Sequence, residues 1–272
     1  MTAVMIWLNK ESLPHFEDIW AVADTQVSKG ENPLTKQAPK IFSIPVNCYW
    51  PGESGFFDTV GFAGSVGVAF AGSTLIAHSA VLAVTPLFAN LISTSKAVPT
   101  LEGLALYFLD FLKQYFLSTN AITMPNDRAT VEFCFFGRCP RSGELGAFRG
   151  ISDVSSAEIG CDPVQFDEQE TVIHLGSHKA EIAQMVNDER ARHPIGSLPW
   201  WRSPYPVMRR IVAAELFSDI GGTTLLAITS GSRVQTYTRP WVPGAGHAHF
   251  SYLGTNVEVE FDDCRVGLPS LY

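Results

Sequence analysis

The first residues of the chain combine a nucleophile with a group that could activate it. Thr2 directly follows Met1, and an apolar run typical of a strand begins at Ala3. An aminopeptidase that removes Met1 would leave Thr2 with a free α-amine beside its own hydroxyl. Such an amine can act as general base for the hydroxyl, and its usual pKa of about 7.7–8.0 suits that task. Because very many chains begin with Met-Thr, this hypothesis depends on the rest of the sequence.

Length and charge narrow the class of protein. The 272 residues predict one large domain or two small ones, with enough chain for a substantial core. Charged residues make up 17% and apolar residues 46%, which indicates a partly covered surface, as in an oligomer. The net charge of −8 and the lack of a basic run argue against nucleic acid as a partner.

The spacing of the cysteines and histidines does not predict a metal site. No Cys-x-x-Cys pair occurs, and Cys134 and Cys139 have no second pair with which to form a zinc site. His247 and His249 could share one face of a strand, but no third ligand accompanies them. The N-terminus lacks the basic segment of a signal peptide. We therefore expect reduced thiols, no metal and a cytoplasmic location.

A run without Asp, Glu, Lys or Arg extends from residue 59 to residue 95 and is long enough to span a bilayer. It is rich in Gly, Ser and Thr, however, and it contains His78 and Pro86. Its first part has strand character and its second part has helix character. We therefore predict a core segment covered on both faces, and no membrane span.

The order of the expected elements defines the fold class. Strands are expected at 2–8, 19–25, 40–46 and 59–64, and helices at 67–91 and 101–117. Strands at 129–137, 145–150 and 171–175, a helix at 178–192, a proline-rich loop at 194–206, a helix at 207–217 and a hairpin at 223–239 follow. Groups of strands that alternate with pairs of helices do not form βαβ units. They predict an α+β fold, a four-layer αββα sandwich of two mostly antiparallel sheets with helices outside.

Several segments resemble those of a known enzyme family, in the same order. They are Thr2-Ala3-Val4, Ala21-Val22-Ala23-Asp24-Thr25-Gln26, Lys40-Ile41-Phe42-Ser43-Ile44, Val60-Gly61-Phe62-Ala63-Gly64-Ser65 and Ile173-His174-Leu175-Gly176-Ser177. The spacing from Asp24 to Lys40 (40 − 24 = 16) also fits the family pattern. Over residues 2–240 the chain resembles the proteasome-type N-terminal-nucleophile (Ntn) hydrolases, meaning the proteasome β-subunits and the bacterial heat-shock threonine peptidase.

The resemblance implies a catalytic role for five residues. Thr2 Oγ would attack a peptide carbonyl, and Lys40 would favour the free amine and stabilise developing negative charge. Asp24 would bind Lys40 and the backbone at Thr2. The backbone N–H of Gly64 would form the oxyanion hole, and Ser177 would bind the Thr2 amine.

Each supporting residue also has an ordinary structural interpretation. Lys40 could be a surface lysine at the start of a strand, and Asp24 could form a turn after one. Gly64 could lie in a tight turn between strand and helix, and Ser177 could cap a helix N-terminus. The sequence alone leaves these alternatives open.

Three departures from the family pattern concern the efficiency of catalysis. Gln26 replaces the usual Arg, and Gly-Ser-Gly becomes Gly176-Ser177-His178. The later Asp-x-x-Ser pattern, aligned at Asp219, ends in Gly222 and lacks its serine.

The resemblance thus implies a cytoplasmic threonine peptidase that forms a ring of identical subunits and uses no cofactor. Its substrates would be peptides or unfolded proteins, and an ATPase partner is left open. We expect a single Ntn domain over residues 1–272, with residues 240–272 as a C-terminal extension of unknown role. The alternatives are a non-catalytic assembly subunit of similar fold and an Ntn amidase that acts on small amides.

Overall fold

The structure is a computed structural model of the chain. It describes residues 2–10, 17–29, 32–121, 129–153, 158–166, 171–237, 239–241, 249–258, 260–262 and 264–270. Met1 and His247, which enter the sequence-based hypotheses, lie outside these ranges.

Strands and helices alternate in groups along the described chain. The strands are β1 (Ala3–Lys10), β2 (Glu17–Asp24), β3 (Val27–Lys29), β4 (Asn32–Thr35), β5 (Ile41–Trp50), β6 (Thr59–Gly72), β7 (Leu91–Ile92), β8 (Val131–Arg138), β9 (Leu145–Asp153), β10 (Glu158–Pro163), β11 (Val172–Gly176), β12 (Thr224–Ser230), β13 (Arg233–Tyr237), β14 (Arg239–Trp241), β15 (His249–Tyr252), β16 (Thr255–Asn256), β17 (Glu260–Phe261) and β18 (Cys264–Arg265). The helices are α1 (Thr74–Phe88), α2 (Leu101–Ala121), α3 (Lys179–Arg190), α4 (Leu198–Arg202) and α5 (Pro204–Ala213).

The chain divides into two compact units, each of which is discontinuous in sequence. The first unit comprises Met1–Ile41, Val172–Ile228 and Gln235–Tyr272, and the second comprises Phe42–Thr171 and Thr229–Val234. Each unit has its own sheet and its own helices. The single domain and the four-layer arrangement expected from the sequence stay predictions.

The sheet of the first unit positions the N-terminal residues. Its strand order is β11-β1-β2-β12-β13, so β1 is an interior strand. β1 pairs antiparallel with both neighbours, with Ala3 opposite Gly176 on β11 and Val4 opposite Ala23 on β2. The continuous apolar sequence of β1 is buried on both faces, and one face packs against α3 and α5. Thr2 therefore lies next to the point where β11 ends and α3 begins.

The second unit packs α1 and α2 on one face of a six-stranded sheet of order β10-β9-β8-β6-β5-β7. β6, β8, β9 and β10 pair antiparallel, whereas β5 and β7 pair parallel. Thr100 caps α2, because its Oγ1 accepts a hydrogen bond of 3.0 Å from the Gly103 N–H. The mixed α/β composition and the mostly antiparallel pairing of the prediction are confirmed.

Two element predictions are wrong. The predicted helix at 67–91 begins only at Thr74, because β6 continues to Gly72 and pairs with β8. Ala69 and Ala71 favour a helix, but pairing with β8 decides their conformation. The predicted loop at 194–206 contains α4 and the start of α5, where Pro204 occupies an N-terminal helical position that tolerates proline.

The uncharged run at 59–95 forms β6 and α1. Within the described ranges, no helix is both long enough and apolar enough to cross a bilayer. The five cysteines are free thiols.

Candidate active site

The peptide unit that joins Thr2 and Ala3 is bound at both ends. The Ala3 N–H donates to Asp24 Oδ1 over 3.0 Å. At the other end, the Thr2 carbonyl accepts a hydrogen bond of 2.9 Å from the Ser177 N–H, and Ser177 Oγ lies 3.3 Å from the same oxygen. Thr2 itself is buried, with 5% of its surface exposed. The backbone at Thr2 is thus fixed by groups from β2 and from the β11–α3 connection.

Asp24, the last residue of β2, accepts hydrogen bonds from four donors. Its Oδ1 binds the Ala3 N–H and the Lys40 ammonium, and its Oδ2 binds the N–H groups of Gln26 and Gly221 at 3.1 and 3.2 Å. A turn-forming aspartate would need only its local backbone, so the turn interpretation does not account for three of these bonds.

Lys40 is buried, not the surface lysine of the ordinary interpretation. Its side chain is 1% exposed, and its Nζ donates to Asp24 Oδ1 over 2.8 Å and to the Gln26 carbonyl. Burial lowers the pKa of Lys40, against the opposing effect of Asp24, because the charged form loses its hydration. Burial likewise raises the pKa of Asp24, against the opposing effects of Lys40 and the N–H groups of Ala3 and Gly221.

Gln26, which the resemblance would make an arginine, contacts Lys40 through its backbone. Lys40 binds the backbone carbonyl of residue 26, which every residue type provides. The Gln26 side chain instead donates to the Ser218 carbonyl over 2.9 Å and to Ser28 Oγ over 3.0 Å. It therefore connects the end of β2 with the loop that carries Asp219.

Ser177 does not cap α3. The residue at the helix N-cap is His178, whose side chain makes no capping bond. The Ser177 hydroxyl instead donates to Asp219 Oδ2 over 2.7 Å. Ser177 thus connects Asp219 to the backbone at Thr2.

His178 and Asp219 complete this side of the candidate site. His178 Nε2 lies 3.0 Å from Asp219 Oδ1. Burial alone would raise the pKa of Asp219, but the hydrogen bonds from Ser177 and His178 outweigh it and lower this pKa. Sequence reasoning noted Asp219 only as an incomplete motif and His178 only as a lost glycine. No local pattern could have paired them, because 41 residues separate them.

Gly64 lies in the second unit, within β6 and well before the end of that strand at Gly72. The turn interpretation of Gly64 is therefore wrong. A Cβ at Gly64 would lie 2.5 Å from the Ser232 carbonyl oxygen, so only glycine fits here. Its assignment to the oxyanion hole stays a prediction.

The described residues include no group of three His, Cys, Asp or Glu side chains arranged to hold a metal ion. The side chains that meet near Thr2 are instead a carboxylate with a buried ammonium and a second carboxylate with a hydroxyl and an imidazole. Such groups can position an amine and transfer protons.

Solved structures with a similar fold are Anbu proteins. The Anbu (Gly-1) mutant from Hyphomicrobium sp. strain MC1 matches with a TM-score of 0.54 at 13% identity, over 86% of this chain and 85% of that chain. The helical assembly of the Anbu complex from Pseudomonas aeruginosa matches with a TM-score of 0.54 at 12% identity, over 87% of this chain and 86% of that chain. Anbu (ancestral beta-subunit) from Yersinia bercovieri matches with a TM-score of 0.52 at 12% identity, over 87% of this chain and 86% of that chain.

No family model matches the sequence, and no curated protein matches it. The resemblance to proteasome β-subunits and to the heat-shock threonine peptidase needs correction, because these structural neighbours are Anbu proteins. Short motifs around Thr2, Asp24 and Lys40 could not distinguish proteasome-like branches from one another. At 12–13% identity the likeness concerns the fold alone, and the fold of this chain is Anbu-like.

Proposed function

We propose that the chain is an Anbu-like hydrolase of the threonine type, with Thr2 as nucleophile once Thr2 is the first residue. The observation that carries the proposal is the buried Asp24–Lys40 pair, which is hydrogen-bonded to the Thr2–Ala3 peptide unit. Lysine is almost never fully buried unless it is paired. A buried ion pair contributes little net stability, since desolvation offsets the attraction. Buried groups with shifted pKa values are therefore candidates for a functional site.

The proposed reaction proceeds in two steps. The Thr2 Oγ–H bond breaks as the proton passes to the α-amine, and Oγ forms a bond to the substrate carbonyl carbon. The amide C–N bond then breaks, and the leaving nitrogen takes up the proton. Water hydrolyses the resulting ester and restores the hydroxyl.

Each neighbouring group has a proposed role in this reaction. The positive charge of Lys40 favours the unprotonated amine and stabilises the developing oxyanion. Asp24 positions both Lys40 and Ala3. Ser177 accepts a hydrogen bond from the amine, and the Gly64 N–H binds the oxyanion. Peptide or unfolded-protein substrates, an ATPase partner and a cytoplasmic location stay predictions.

We also propose that the protein assembles with copies of itself. α1 contains no charged residue, and it exposes Leu75 and Leu82; α2 exposes Leu106 and Leu117. Exposed apolar side chains on adjoining helices are typical of an interaction surface. The Pseudomonas aeruginosa Anbu complex is a helical assembly. Head-to-tail contacts produce a ring if the rotation closes and a helix if it does not, so the predicted ring becomes one of two forms.

The intact mass of the purified protein tests whether Thr2 is the first residue. A mass without Met1 is expected, and Thr2→Ala should then lower hydrolysis of a peptide by about a thousandfold or more. Thr2→Ser should retain activity, because its hydroxyl and α-amine keep their arrangement.

Thr229→Ala provides a matched control, since Thr229 is also a buried threonine of the same sheet. Hydrolysis that is unchanged in Thr2→Ala contradicts the proposal. A retained Met1 favours the non-catalytic assembly subunit. Native mass measurement of the same sample distinguishes a monomer, which contradicts assembly, from a larger complex.

A further inference from the structure

His178 adopts a backbone conformation that normally favours glycine. It lies two residues after the end of β11 at Gly176, and its φ of 55° lies in the left-handed region. Such a conformation is uncommon for residues other than glycine, although histidine, like Asn and Asp, adopts it more often than most, and it costs about 1 kcal/mol or more. The contacts of the imidazole can offset this cost.

The imidazole of His178 is fixed from three directions. Its Nε2 lies 3.0 Å from Asp219 Oδ1, and its ring stacks on Phe217 with centroids 4.1 Å apart and planes 18° apart. On the third side, Nδ1 lies 4.0 Å from Glu181 Oε1. An ionised carboxylate has no hydrogen to donate, so Nε2 carries the hydrogen and donates it to Asp219.

The hydrogen bond from His178 to Asp219 bears on the hydrogen bonds that the Ser177 hydroxyl can make. The Ser177 hydroxyl has one hydrogen, and it donates that hydrogen to Asp219 Oδ2 at 2.7 Å, since bonds to carboxylates are shorter and stronger. The lone pairs of Ser177 Oγ are then available beside Thr2, whose carbonyl oxygen lies 3.3 Å away. Asp219, with both oxygens bound, therefore orients Ser177 as an acceptor.

The serine that the family pattern places three residues after Asp219 cannot be accommodated here. The position is Gly222, with a φ of 82°. A Cβ at Gly222 would lie 2.4 Å from the Lys36 carbonyl oxygen and 2.5 Å from Thr25 Oγ1. Beside Ser177, the side chain that contacts Asp219 is His178, which comes from another segment.

We propose that His178 is a positioning residue, whose hydrogen bond to Asp219 orients Ser177 as the acceptor for the amine of Thr2. This inference rests on the proposed function, because it assigns His178 to the same site. His178 acts through Asp219 and Ser177 and does not touch the reacting atoms.

Two variants of His178 test the proposal. His178→Gly removes the donor and suits the left-handed backbone, so the fold is expected to persist. His178→Gln keeps an amide N–H that can reach Asp219. We expect kcat for a peptide to fall about tenfold to a hundredfold in His178→Gly, with little change in KM, because a bond to a charged group is lost. In His178→Gln, kcat should return to within about threefold of the wild type.

His193→Gln is the matched control. His193 Nε2 lies 3.6 Å from Glu189 Oε1, and its side chain is 31% exposed, against 33% for His178. Its kcat should equal that of the wild type. Equal kcat in His178→Gly and the wild type overturns the proposal, and so does an equal loss in the Gly and Gln variants, which indicates a steric role only.

A peptide aldehyde, which binds a nucleophilic hydroxyl reversibly, separates this proposal from the proposed function. Wild-type protein that neither hydrolyses peptide nor binds the aldehyde contradicts the proposed function, and the inference with it. Wild-type protein that does both, with His178→Gly equally active, contradicts only the role of His178. Thermal unfolding of each variant confirms that a loss of kcat is measured on folded protein.

Discussion

Two buried carboxylates act on the same peptide unit from its two ends, and their environments differ. Asp24 accepts hydrogen bonds from three backbone N–H groups, that of Ala3 among them, and from the buried ammonium of Lys40. Asp219 acts on the Thr2 carbonyl end through Ser177, and its donors are the side chains of Ser177 and His178. The pKa of Asp24 is raised, whereas that of Asp219 is lowered.

This difference shows which part of the candidate site the fold determines. Every residue type except proline supplies a backbone N–H, so the environment of Asp24 follows from the positions of β1, β2 and the Gly221 loop. Side-chain donors can be exchanged without moving the backbone, so the environment of Asp219 depends on residue choice at 177 and 178. We expect substitutions near Asp24 to affect folding strongly, and those near Asp219 to affect activity more than folding.

The largest effect is expected for Lys40→Met. This change leaves the Asp24 carboxylate buried without its cation, so the free energy of unfolding should fall by about 3–5 kcal/mol. Lys36→Met is the control, because the Lys36–Glu215 pair is exposed and should contribute about 0–1 kcal/mol. Urea unfolding measures both. If the two variants lose equal stability, the contrast between the buried pair and the rest of the site fails.

A smaller loss is expected for Gly222→Ser, which introduces the serine of the family pattern beside Asp219. The left-handed backbone and the contacts with Lys36 and Thr25 should destabilise the fold by about 1–3 kcal/mol without raising activity. Gly231→Ser is the control, because Gly231 has a φ of 56° with no atom within 4 Å of its Cβ position. The Gly231→Ser variant therefore measures the cost of backbone strain without a steric clash. Higher activity in Gly222→Ser would show that the serine can be accommodated after all.

The smallest effect is a difference in acid sensitivity. The pKa of Asp219 lies below its usual value of 3.8, so its ionised form stabilises the fold above that value. This contribution is lost as the pH falls through the folded pKa. The stability difference between the wild type and Asp219→Asn should therefore shrink below about pH 4. For Asp24→Asn the difference should move in the opposite direction, because a raised pKa makes protonation stabilise the folded state. Urea unfolding at several pH values measures both trends.

The sequence placed the strand ends near the candidate site. Thr2, Asp24 and Lys40 each lie at or next to a strand terminus, and strand periodicity locates such ends. The resemblance, rather than periodicity, singled out Asp24 and Lys40, and the catalytic roles of all three stay predictions. Local patterns also predicted most helices and, apart from β7 and β10, the strands of the two larger sheets. They failed at 67–72, where the alanines favour a helix but pairing with β8 decides.

The remaining parts could not be predicted from the sequence. The contact between His178 and Asp219 depends on how α3 and the 218–222 loop pack, and nothing local encodes it. Gln26 was noted as a departure, but only the structure shows that its backbone carbonyl binds Lys40 while its side chain binds the Ser218 carbonyl. Whether a residue acts through its side chain or its backbone is not visible in a residue type.

The register of β1 has a consequence for maturation. Ala3 is opposite Gly176 and Val4 is opposite Ala23, so β1 is fixed between two partners. A strand repeats every two residues, and a slip of one residue would exchange its two buried faces. The fold therefore cannot compensate for a cut made one residue early or late. Under the proposed function, the enzyme that prepares the N-terminus would have to cleave the single bond before Thr2, and the accuracy of that cut, rather than its rate, would determine how many copies become active.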